Sequence, residues 1–87
     1  LHLFDDDAWP GVLDAHPGAV ILTHRPDRSG AHERLPSDDA GYARRLYAAL
    51  HEADALGAPC ILVERPTGTG GLWDAIRDRL RRASTDG

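Results

Sequence analysis

The chain has 87 residues, 28% of them charged, with 14 acidic against 10 basic side chains and a formal net charge of -4. That length suits one small domain, which buries about 60–65% of the surface its unfolded chain exposes, and it leaves no room for a second. The acidic balance disfavours a non-specific nucleic-acid footprint, and because all ten basic residues are Arg, lysine-dependent phosphate loops and Schiff-base chemistry are excluded from this chain.

The opening LHLF (1–4) alternates and predicts a strand, although no Met stands at position 1 or anywhere else; this points to a fragment of a longer protein. DDDAWPGVLDA (5–15) offers Asp caps, a Pro near the first turn, and apolar Trp9, Val12 and Leu13 at helical spacing, predicting a short helix. After the turn HPG (16–18), the β-branched run AVILT (19–23) has the character of a strand buried on both faces of a parallel sheet. A polar loop, RPDRSG (25–30), leads to AHERL (31–35), whose charges suit only an edge strand.

From Ser37 or Asp38 as cap, Tyr42, Ala43, Leu46, Tyr47, Leu50, Ala53 and Leu56 recur at intervals of three and four, and Gly57 stands where the residue past a helix end is wanted. This is the longest predicted helix. CILVE (60–64) is again a buried strand, so its Cys60, the single cysteine, is expected to be a buried, inert thiol of a reducing compartment. Leu72, Trp73, Ile76, Leu80 and Ala83 predict the apolar face of a final helix, with Asp74 in its first turn and Arg79, Arg81 and Arg82 in its last, matching the helix dipole. STDG (84–87) reads as a frayed tail. Strands separated by helical segments imply a small Rossmann-like α/β fold, with a mostly parallel sheet of about four strands and three helices.

Several segments invite a chemical reading. The loop TGTGG (67–71) follows a strand and opens a helix, the context in which helix N–H groups take a phosphate, but G-x-G-x-x-G would require glycine where Trp73 stands. The loop is read as a flexible connection. His2, His16, His24, His32 and His51 form no strong ligand pattern, so no metal site is assigned. DDD (5–7) reads as a cap cluster, and Ser29, Ser37 and Ser84 lie in no nucleophile elbow. No catalytic residue is assigned.

In open parallel sheets the carboxyl ends of the strands form the functional edge, because loops leave there and helix N-termini point there. The segments GAVILTHRP (18–26) and GAPCILVERP (57–66) echo one another and end in similar loops, one through His24 and Arg25, the other through Glu64 and Arg65, with Gly68 and Gly70 beyond. These six residues are the candidate interdomain or ligand edge. If the two strands are neighbours, a mixed-charge patch results, in which Arg25 and Arg65 act as surface charges dispensable for stability.

The blocks LP (35–36), YARRLY (42–47), LHEAD (50–54), Gly57, ILVERP (61–66) and GLWDAIRDRLRRA (71–83) resemble, in order and spacing, the C-terminal domain of two-domain threonylcarbamoyl-AMP synthases. The resemblance departs at one loop, where the family has consecutive prolines and this chain has Pro66 flanked by Arg65 and Thr67. It implies an accessory Rossmann-like domain, 1–87, of an enzyme that condenses ATP, threonine and bicarbonate into threonylcarbamoyl-AMP for a tRNA modification. The catalytic domain, with its ATP and Mg, is expected N-terminal to residue 1 and is the implied partner, contacting this domain and its linker. No cofactor, no direct nucleic-acid contact and no membrane is expected for this chain, and a cytoplasmic location is. The alternative is a free-standing α/β interaction or small-ligand module.

Overall fold

The computed structural model describes residues 1–9, 11–26 and 30–84. Four strands, β1 (His2–Phe4), β2 (Val20–Thr23), β3 (Glu33–Arg34) and β4 (Ile61–Glu64), are interspersed with α1 (Gly11–Ala15), α2 (Asp39–Ala55) and α3 (Gly71–Ala83), β3 following β2 without a helix between them among the described residues. The sheet is parallel throughout in the order β1-β4-β2-β3. The two apolar strands, β2 and β4, take its centre, where both faces are covered, and the short polar β3 takes an edge. That edge strand is two residues long rather than the five its sequence suggests.

Alternation along the strands sends Leu22 and Val63 toward α2 and α3, and Phe4, Ile21 and Leu62 toward Val12 of α1, giving two cores on opposite faces of the sheet. On α2 the buried stripe is Tyr42, Leu46, Ala49 and Ala53, while on α3 it is Ile76 and Leu80. Leu50 and Ile61 are only partly buried against this core. Three residues placed on apolar faces by periodicity are instead exposed: Tyr47 (53%), Leu56 (80%) and Leu72 (40%). Tyr47 lies outside the narrow stripe and is covered by the Arg79 guanidinium, 5.4 Å from its ring centre, whereas Leu56 is the C-cap of α2, past the last buried turn.

Local capping follows the sequence closely at α2. The Asp38 carboxylate accepts from the Gly41 N–H at 2.7 Å, so Asp38 rather than Ser37 is the cap. At the other end Gly57 has φ 71°, its N–H donates to Asp54 O, and the Ala58 N–H donates to Ala53 O, the paired bonds of a Schellman end. The predicted helix over 5–15 is divided into a 3-10 turn at Asp6–Ala8 and the five-residue α1, and Asp5 makes no side-chain capping bond. Cys60 precedes β4 and is half-buried, not buried. Ser84 is the C-cap of α3. Pro10, residues 27–29 of the polar loop, Ser29 among them, and residues 85–87 of the tail lie outside the described residues.

Candidate functional site

Pairing of Leu22 with Val63 puts the last residues of the two central strands, Thr23 and Glu64, side by side. Both are 1% exposed. A carboxylate buried to that extent must be met by charge and hydrogen bonds, because isolated it would lose its hydration without return. The Thr23 hydroxyl donates to Glu64 Oε1 at 2.7 Å, and Arg25 Nε donates to Oε2 at 2.7 Å. The Arg25 backbone N–H in turn donates to Thr23 Oγ1 at 3.1 Å, turning the chain so that its side chain folds back over the strand end. Asp6 Oδ1 lies 3.5 Å from the same guanidinium.

Arg65 follows a different course. Its N–H continues the ladder onto Phe4 O, and its side chain meets Asp5 at 3.1 Å, both partners well exposed. Asp6 and Asp5 thus stand as counter-ions to the two strand exits, and Asp5 makes no side-chain capping bond. The two arginines are likewise not equivalent: Arg25 compensates a buried charge, so its loss is expected to cost stability, whereas Arg65 is a surface charge.

His24 and Gly68 come together in a cleft of about 230 Å³ that Ser37, Pro66, Thr67 and Trp73 complete. The loop between β4 and α3 is tightly built rather than a slack connection. A Cβ on Gly68 would stand 2.5 Å from Trp73 Nε1, and Gly70, the N-cap of α3, has φ 84° and supplies no side-chain cap. The Arg77 guanidinium donates to the carbonyl oxygens of Gly68 and, at 3.4 Å, Pro66, while its other terminal nitrogen binds Asp74 at 2.7 Å. The structure therefore divides the six candidate residues into an ionic pair (Arg25 and Glu64), a cleft pair (His24 and Gly68), a surface arginine (Arg65) and a helix-entry glycine (Gly70).

Sequence reasoning missed Thr23, Asp5, Asp6, Trp73 and Arg77 as parts of this edge, and placed Tyr42 only in the core. Thr23 carried a weak signal, as the polar last residue of an apolar strand; Arg77 carried none, since its neighbours suggest only a solvated helix face. Tyr42 is fully buried and its ring meets Trp73 edge-on at 5.1 Å. Its hydroxyl has no hydrogen-bond partner among the described residues. Burial first, and then the charge of Glu64, push its pKa well above the ordinary tyrosine value, so the phenol stays neutral.

Among the described residues, no three His, Cys, Asp or Glu side chains converge as a metal ion requires, and no helix is long and apolar enough to cross a membrane. The Glu64 carboxylate is held by groups that neutralise it, an arrangement that fixes the strand ends in place and offers no activated nucleophile. The family profile described as threonylcarbamoyl-AMP synthase, C-terminal domain, matches residues 9–85. No curated protein and no solved structure matches the chain.

Proposed function

The chain belongs to the threonylcarbamoyl-AMP synthase C-terminal domain family, and from that premise we propose that it is the accessory domain of such a synthase, meeting a companion catalytic domain and the linker through the carboxyl edge of its sheet. The parent reaction on this reading joins ATP, threonine and bicarbonate into threonylcarbamoyl-AMP with release of pyrophosphate, as a step toward a tRNA modification in the cytoplasm. ATP, Mg and the catalytic groups belong to the companion domain, and this chain contacts neither nucleic acid nor membrane.

One observation carries the reading. The charges at the carboxyl edge are turned toward one another, Glu64 onto Arg25 and Thr23 and Arg65 onto Asp5, which leaves a shaped and nearly neutral surface suited to a protein partner rather than to a polyphosphate. The absence of lysine from the sequence supports a non-catalytic role. Purified chain given ATP, threonine and bicarbonate is expected to release no pyrophosphate above a protein-free blank, and release above that level would sink the proposal.

The cleft beside His24 supports a second reading, a small-ligand module. Calorimetry separates the two. ATP is expected to bind no tighter than about 1 mM, roughly -4 kcal/mol, and micromolar affinity would favour the ligand module.

A further inference from the structure

We propose that Arg77 is a positioning residue, holding the 65–70 loop in the shape that meets the catalytic domain; this rests on the accessory-domain reading above. Within the loop, Pro66 alone is buried, while Arg65, Thr67, Thr69 and Gly70 are exposed. An exposed segment of that kind gains little from burial and loses conformational entropy when ordered, so core packing does not account for its being pinned. Yet it is pinned twice over. The Trp73 indole occupies the space over Gly68 in which a side chain would stand, and the Arg77 guanidinium reaches back across the first turn of α3 to two loop carbonyls, itself oriented by Asp74.

Guanidinium geometry suits this task, because a planar fork of donors can bridge two carbonyls and a carboxylate at once, which a lysine ammonium cannot do with the same rigidity. The loop also runs from the Arg65–Asp5 pair to the His24 cleft, so its shape sets the spacing between those two parts of the carboxyl edge. A surface ordered before contact loses less freedom on binding, and a displacement of about 1 Å far from the reacting atoms can cost roughly a hundredfold in rate.

The test uses the two-domain synthase that carries this domain, with Arg77→Gln, Arg77→Lys and Arg65→Ala made separately. Three readouts apply: amide exchange of residues 67–71, domain docking by solution scattering, and kcat against KM for ATP. Arg77→Gln is expected to speed exchange of the loop amides while those of β2 and β4 keep their protection. It should also loosen docking and lower kcat several-fold with KM little changed, and Arg77→Lys should fall between it and the parent. Loop amides that exchange at the parental rate, or a freed loop with parental docking and kcat, would overturn the assignment. If Arg65→Ala loosens docking while Arg77→Gln does not, only the role of Arg77 falls; if neither variant alters docking, the carboxyl-edge reading falls with it.

Discussion

The two Arg-Pro exits of the central strands look interchangeable in sequence, ILTHRP at one and ILVERP at the other, yet they do different things. Aligned by their shared Ile-Leu pairs, Arg25 and Arg65 fall at the same position of the motif, but in the sheet Ile21 pairs with Leu62 and Leu22 with Val63. The registry of the strands is thus shifted by one against the registry of the letters. Because successive strand residues face opposite sides, that single step decides which arginine returns to the buried carboxylate and which goes to the surface. Arg25, two residues past the end of β2, reaches Glu64; Arg65, immediately after Glu64, turns to Asp5 at the β1 edge. A repeated motif therefore does not imply a repeated site when strand pairing sets the register.

The sharpest way to break this comparison is to remove each arginine in turn. Arg25→Ala strips the buried carboxylate of its cation and is expected to cost about 2–4 kcal/mol in urea unfolding, while Arg65→Ala should stay within about 0.5 kcal/mol. Equal losses would return the two exits to equivalence. Thr23→Val keeps the β-branched shape and removes the hydroxyl that donates to Glu64 and accepts from the Arg25 N–H, with an expected loss of about 1–2 kcal/mol; a parental midpoint would show that Arg25 holds Glu64 without help from Thr23.

Tyr42 makes no hydrogen bond to this network among the described residues, but burial and the charge of Glu64 raise its pKa above the ordinary value of 10.0. A tyrosine held neutral by folding contributes fully below pH 10 and loses that contribution as the pH rises above it, by about 1.4 kcal/mol per pH unit. Unfolding midpoints of the parent and Tyr42→Phe, compared from pH 9 upward, should diverge in slope, and parallel curves would show that the phenol is not held neutral by the fold. At pH 7 the same variant should be neutral or slightly more stable, since the hydroxyl has no partner among the described residues to lose.

The smallest effect belongs to the exposed pairs. Hydrogen bonds from Arg45 and Arg81 hold the carboxyls of Glu52 and Asp78 below their ordinary values of 4.5 and 3.8. Their contribution is therefore whole above those values and is lost as the pH falls from them through the lower values of the folded state. Melting followed from pH 5 to pH 3 should show a shallow decline that concentrated salt flattens, in contrast with the salt-resistant penalty of Arg25→Ala. A decline as steep in high salt would mean that the buried network, not the surface pairs, governs acid stability.

What the amino-acid order determined alone is what backbone and neighbouring side chains decide within a few residues: two apolar strands, two long helices, a cap at Ser37 or Asp38 and the Gly57 end, with the structure choosing Asp38. Their alternation was enough for a small parallel α/β fold. Tertiary structure decided the strand order β1-β4-β2-β3, the one-residue offset between the two exits, the exposure of Tyr47, Leu56 and Leu72, and the reach of Arg77 to the loop carbonyls. The reason is separation along the chain. Capping and periodicity act over three or four residues, but the partners of Glu64 lie 39 and 41 residues away, and a charge selects such partners only after sheet pairing has brought them together and removed the water that would otherwise have satisfied it.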